Sequence, residues 1–165
     1  ILYREGNAGL ILQLSTPQLI SEYYSKRGID LGNPFPALAP ELKTATIFLL
    51  DLINHTHSAL TFTPSYVALK VKDETLYPVD LTTLLPMLDD ADTNQHKVIE
   101  KTVFHSPVIV YPDQVESRFL IFSKMPSRFD HFKMEFDYMF FKSKEMKCKF
   151  YFTRNKVGER PQTNK

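Results

Sequence analysis

The amino-acid sequence predicts a mainly β protein, an antiparallel β-sandwich of about seven to nine strands with one short N-terminal helix. Phe and Tyr are abundant, with 13 and 8 of the 165 residues, and Trp is absent, a weighting that favours strands. Pro outnumbers Gly by 11 to 5, which predicts many stiff connections. Short segments with apolar side chains at alternate positions follow one another closely, as they do in antiparallel sandwiches.

The helix is predicted at about residues 17–27. Thr16 can accept a hydrogen bond as the N-cap, Pro17 suits the first helical position, and Gly28 supplies the end. Between them, the apolar residues Leu19, Ile20 and Tyr23 recur at helical spacing.

Most other segments are predicted to be strands. Residues 44–53 form a nearly continuous apolar run, typical of a strand buried on both faces. The clearest alternation is at 131–141, which places Phe132, Met134, Phe136, Tyr138 and Phe140 on one face and Lys133, Glu135 and Asp137 on the other. The further strands are predicted at 9–14, 66–71, 76–79, 98–104, 108–111, 117–123 and 147–154. Residues 32–40 and 89–96 are predicted to be loops, because prolines interrupt the first and polar residues fill the second.

A single domain is expected over residues 1–154, followed by a polar, flexible tail at 155–165. The net charge is only +1, so no global field attracts nucleic acid. The charge is uneven, however: residues 73–100 hold seven acids and one base, a net of −6, and residues 142–165 hold eight bases and two acids, a net of +6. These regions are read as two solvated surfaces of opposite sign, with partner docking as the alternative.

Three segments carry a resemblance to a known group of proteins. They are the amphipathic helix that begins at Thr16, the strand and turns at 45–56, 63–70 and 76–80, and the proline-led turn and strand at 110–122. Together they cover about half of the chain, and they are similar to a diffuse group of uncharacterised bacterial envelope lipoproteins with immunoglobulin-like β-sandwiches. The resemblance implies an immunoglobulin-like fold, an envelope location and a non-catalytic role, and it identifies no functional residues.

His55 and His57 are the best metal-ligand candidates. If the preceding strand continued through them, both rings would project from one face, as a chelating pair requires. The alternative is a hydrated turn between two strands. The acidic segment 89–94 fits neither register of an EF-hand calcium loop, which leaves a solvated acidic loop as the favoured interpretation and an irregular calcium site as the alternative.

Three tyrosines are candidates for partner binding. Tyr23 and Tyr24 are adjacent on the helix, so only one is expected to face the core and the other to be an exposed anchor. Tyr151 is the exposed aromatic of a segment that alternates bases with aromatic residues. That segment fits an anionic surface or lipid headgroup better than nucleic acid, although its lysines could simply keep a sheet edge soluble. The single cysteine of the chain, Cys148, shares a strand face with Phe150 and Phe152 and is expected to be a buried, inert thiol.

The sequence therefore favours a non-catalytic binding or assembly module of the bacterial cell envelope. The alternative is a metal-binding domain that uses His55 and His57. We expect no enzymatic activity, no cofactor and no nucleic-acid partner. The expected partner is a protein, and peripheral or lipid-anchored association with a membrane is a further expectation, in the periplasm or at the outer membrane.

Overall fold

A computed structural model describes residues 1–30, 34–35, 45–87, 93–123, 131–141 and 144–153. These residues form ten strands, three α-helices and two short 3₁₀ turns. The strands are β1 (Leu2–Glu5), β2 (Ala8–Leu14), β3 (Thr46–Asn54), β4 (Leu60–Phe62), β5 (Val67–Val71), β6 (Glu74–Leu76), β7 (Val108–Val110), β8 (Gln114–Phe122), β9 (His131–Phe141) and β10 (Lys144–Thr153). The helices are α1 (Pro17–Ser25), α2 (Leu81–Leu84) and α3 (Thr93–Thr102), and the 3₁₀ turns are Pro64–Tyr66 and Leu85–Met87.

The strands form two antiparallel sheets. The four-stranded sheet has the order β1-β2-β3-β8. In the six-stranded sheet, β9 pairs with β10 along one edge, from Lys144 opposite Phe141 to Thr153 opposite His131. The other edge of β9 pairs with two strands, with β5 along residues 133–136 and with β4 along residues 140–141. The sheet continues from β5 to β6 and from β4 to β7.

Two apolar cores lie on opposite sides of the four-stranded sheet. Side chains of both sheets form the larger core, among them Leu50, Leu52, Leu69 and Phe136. The smaller core joins the helices to the other face of the four-stranded sheet, through residues such as Ile20, Ile99 and Phe119. This sheet is therefore covered on both faces, which explains the nearly continuous apolar sequence of β3.

The structure confirms a mainly antiparallel β fold in two sheets. The described strands number ten, above the expected seven to nine, and α1 ends at Ser25 before Gly28, which has a φ of 69°. The immunoglobulin-like topology stays a prediction. The loop at 32–40 and the tail at 155–165 lie largely or wholly outside the described residues.

The prediction of a strand at 98–104 is wrong for residues 98–102, and Val103 forms an isolated β-bridge with Phe119. Residues up to Thr102 belong to α3, which also takes in the last part of the loop predicted at 89–96. The buried residues Ile99 and Thr102 are three positions apart, so they share one helix face, and the Val103 amide just beyond α3 donates to the Ile99 carbonyl oxygen at 3.0 Å. A short apolar run fits either period, and packing against the four-stranded sheet selects the helix. None of the helices in the described part of the chain is long and apolar enough to cross a membrane.

Candidate functional site

The outer face of the six-stranded sheet carries a concentrated set of charged side chains. In β9, Met134 and Phe136 point into the core, and Lys133, Glu135 and Asp137 alternate with them. The register places Lys133 opposite Lys70 of β5 and Tyr151 of β10, and Glu135 opposite Ala68 and Lys149. Neighbouring strands thus bring together side chains that are far apart in sequence.

Three lysines surround one buried carboxylate on this face. Glu135 accepts contacts from the Nζ atoms of Lys70 at 2.5 Å, Lys133 at 2.7 Å and Lys149 at 3.3 Å. Its side chain is only 8 % exposed, because the lysine side chains cover it. Hydrogen bonds from Lys133 and Lys70 lower the pKa of Glu135 to about 2, against the cost of burial. One carboxylate cannot neutralise three ammonium groups, so these four side chains keep an excess of two positive charges. Asp137, on the same face of β9, interacts electrostatically with Lys70 and offsets one of them.

An open groove of about 450 Å³ lies beside this cluster. Its basic and polar lining comes from Lys70, Lys72, Lys133, His131 and Thr153. Its aromatic lining comes from Phe132, Tyr151 and Phe152. The rings of Phe132 and Phe152 are stacked, with centroids 4.4 Å apart and planes 7° apart. We call the surface formed by Lys70, Lys72, Lys133, Glu135, Lys149 and Tyr151 the basic face.

A second aromatic group lies further along β9. Tyr138 is about half exposed, although the alternation predicted it on the buried face with Phe136, and that prediction is wrong. The pairing with β10 shifts register between Met146 and Cys148, and Tyr138 has a φ of 52°, so a β-bulge reverses the alternation here. The bulge places the Tyr138 ring 4.7 Å from the ring of Tyr66 and 5.4 Å from the Nζ atom of Lys147.

Tyr151 is 71 % exposed on the basic face. Cys148, also in β10, points to the opposite side of the sheet, into the core, and is buried, as expected for an inert thiol. Burial raises the pKa of the Cys148 thiol to about 12, so the nucleophilic thiolate is scarce at neutral pH.

The two helix tyrosines are both buried, so the expectation that one of them is an exposed anchor is wrong. The Tyr23 hydroxyl donates to the Ser117 carbonyl oxygen at 2.7 Å, and the Tyr24 hydroxyl lies 3.0 Å from Thr102 Oγ1. Both rings contact Phe119, with centroid distances of 4.5 and 5.9 Å. Because β8 and α3 cover α1 from two directions, two adjacent side chains can both be buried, and burial raises the pKa of each phenol.

His55 and His57 lie in a turn, because β3 ends at Asn54. The Asn54 amide donates to the carbonyl oxygens of Ser58 and Val110 at 2.8 Å, which closes the turn. The strand therefore does not continue through the two histidines as the chelating arrangement assumed. His55 Nδ1 lies 3.7 Å from Asp113 Oδ1, and both side chains are well exposed. Across the described ranges, no three His, Cys, Asp or Glu side chains are grouped as a metal site requires. The metal site remains a prediction.

The basic face was only partly visible in the sequence. Glu135 had the pattern of an ordinary solvated charge, because nothing in β9 alone indicates that Lys70 and Lys149 cover it. The signal in the sequence was the alternation of polar with apolar side chains in β9 and β10, and only the pairing register joins their charged residues and Lys70 into one cluster.

Comparisons with known proteins relate the chain to bacterial structures at low sequence identity. No protein-family model matches the sequence, and no curated protein matches it. The crystal structure of the yjhA protein from Bacillus subtilis is 10% identical, with a TM-score of 0.45, over 82% of this chain and 76% of that one. A FixG-related protein from Vibrio parahaemolyticus is 12% identical, with a TM-score of 0.42, over 91% of this chain and 98% of that one. The "putative lipoprotein (ycdA)" from Bacillus subtilis is 11% identical, with a TM-score of 0.46, over 92% of this chain but only 38% of that one.

Proposed function

We propose that the protein is a non-catalytic binding module of the bacterial cell envelope and that the basic face is its binding surface. The observation that carries the proposal is the uncompensated charge around Glu135. The whole chain has a net charge of only +1, yet four lysines on this face, Lys70, Lys72, Lys133 and Lys149, face two carboxylates, Glu135 and Asp137. Like charges gathered on one open face favour an anionic partner.

The chemistry of these groups supports binding over catalysis. A general acid or base works best with a pKa near the working pH, whereas the Glu135 carboxyl has a pKa of about 2. A nucleophilic cysteine needs an accessible thiolate, whereas Cys148 is buried with a pKa of about 12. The envelope location is supported by the sequence resemblance described above.

Co-sedimentation with isolated bacterial cell envelopes tests this function. We expect the wild-type protein to sediment with the envelopes and the double variant Lys72→Glu/Tyr151→Ala to remain mostly in the supernatant. Both substituted side chains are exposed, so the fold should be retained, and thermal unfolding checks this. The matched control is Lys97→Glu, an equal charge change at an exposed position of α3. Equal sedimentation of wild type and double variant would refute the basic face as the binding surface.

A further inference from the structure

Resting on this proposed function, we propose that the basic face binds the phosphate headgroups of an anionic phospholipid bilayer. The lysines lie against the headgroups, and the exposed tyrosines lie at the boundary between headgroups and acyl chains. This assigns the protein a peripheral mode of membrane contact through a sheet surface.

Charge complementarity is the first support. The basic face has four lysines, Lys70, Lys72, Lys133 and Lys149, and two carboxylates lie on this side of β9, Glu135 and Asp137, which leaves a net charge of +2. The charges are spread over β5, β9 and β10, about 10 Å across at the usual spacing of strands. Because physiological salt screens charges over about 8 Å, such a cluster attracts an anionic surface only at close contact.

The kind of cation is the second support. All four are lysines, whose ammonium groups are compact point charges without a preferred planar partner. Arginine would instead suit a carboxylate or phosphate fixed in one bidentate geometry. Lysines therefore fit mobile headgroups better than they fit a single rigid anionic ligand.

The tyrosines are the third support. Tyr151 is 71 % exposed between the lysines, and the half-exposed pair Tyr66 and Tyr138 lies further along the sheet. Tyr151 lies opposite Lys133 in the pairing of β9 with β10. Along β9, Lys133 and Tyr138 are about 14 Å apart, from four residues at the usual rise of a strand when the extra residue of the bulge is not counted. Tyrosine is enriched where an apolar and an aqueous phase meet, because its ring is apolar and its hydroxyl is polar. Two such groups on one sheet face would contact a planar surface together.

Binding to vesicles is the direct test. We expect the wild-type protein to bind vesicles of phosphatidylglycerol and phosphatidylcholine in equal parts, to bind pure phosphatidylcholine vesicles far more weakly, and to be released at high ionic strength. The variant Lys72→Gln/Lys149→Gln should bind the anionic vesicles about thirtyfold more weakly, because each lysine at an anionic surface contributes roughly a fivefold increase in affinity. Lys26→Gln/Lys97→Gln is the matched control, with exposed lysines at the end of α1 and in α3, and it should bind like the wild type.

A fluorescent probe locates the contact independently of affinity. Because the chain contains no Trp, Tyr151→Trp introduces a single reporter on the basic face. We expect its emission to shift to shorter wavelength on addition of the anionic vesicles. Val115→Trp places the same reporter on an exposed position of β8 in the other sheet, where no shift is expected.

Two results would overturn the proposal. The first is equal vesicle binding by the two double-lysine variants, each shown by thermal unfolding to be folded. The second is failure of the wild type to bind anionic vesicles. If the wild type still sediments with cell envelopes and Lys72→Glu/Tyr151→Ala does not, the binding module stands and its partner is another envelope component, such as an acidic protein.

Discussion

At the scale of single residues, Glu135 shows how a cluster is stabilised and also left with excess charge. The carboxylate is nearly buried, and charge-assisted hydrogen bonds from the ammonium groups of Lys133 and Lys70 stabilise its charged form. The lysine side chains are 30 to 53 % exposed, so water screens part of these interactions. The residue therefore holds three lysines in fixed positions while most of their charge remains available to a partner.

We predict that Glu135→Gln lowers the free energy of unfolding by about 1–3 kcal/mol at neutral pH, because three neighbouring ammonium groups lose their shared counter-ion. The pKa of Glu135 falls from an ordinary 4.5 to about 2 on folding, so the contribution is present above about pH 4.5 and is lost as pH falls towards 2. Urea unfolding of both proteins over this pH range measures it. A difference between wild type and variant that stays constant with pH would contradict the argument.

At the scale of elements, the start of α1 is set by a local N-cap, and its orientation is set by packing against residues far away in sequence. The Leu19 amide donates to Thr16 Oγ1 at 3.2 Å, and Pro17 occupies the start of the helix. These local signals made α1 predictable. Its orientation depends on Tyr23 and Tyr24, whose hydroxyl partners Ser117 and Thr102 are 94 and 78 residues away. The sequence could not show that both rings are buried.

We predict that Thr16→Ala lowers the free energy of unfolding by about 1 kcal/mol, because the Leu19 amide loses its acceptor at the helix start. Chemical denaturation followed by circular dichroism measures the change. Thr16→Ser keeps the hydroxyl and is the control, for which only a small change is expected. If Ser and Ala destabilised the protein equally, the cap would not be the cause.

At the scale of the whole molecule, the four-stranded sheet joins the two cores. β8 contributes Leu120 and Phe122 to the core between the sheets, and it contributes Phe119 and Ile121 to the core under the helices. A disturbance of one core should therefore reach the other through the shared strand. This continuity is the reason to expect a single cooperative unit, and the single domain over residues 1–154 stays a prediction.

We predict that Phe119→Ala, under the helices, exposes Cys148 in the opposite core. Loss of a buried Phe costs about 3–5 kcal/mol, so in one cooperative unit the rate at which a thiol reagent modifies Cys148 should rise by about a hundredfold or more. Tyr77→Ala removes an exposed ring and is the control. If Phe119→Ala loosened the helices and left the modification rate unchanged, the two cores would unfold independently.

The sequence by itself determined the features that depend on local chemistry. Alternation in β9 before the bulge, the continuous apolar run of β3, the cap of α1 and the burial of Cys148 all follow from residue type and spacing, and the structure confirms them. The tertiary structure alone decided the features that depend on register and on what covers a segment. The helical state of α3, the bulge at Tyr138, the end of β3 before His55 and the burial of Glu135 depend on partners far away in sequence. The physical reason is that periodicity specifies which side chains share a face, whereas strand pairing specifies which faces and neighbours meet.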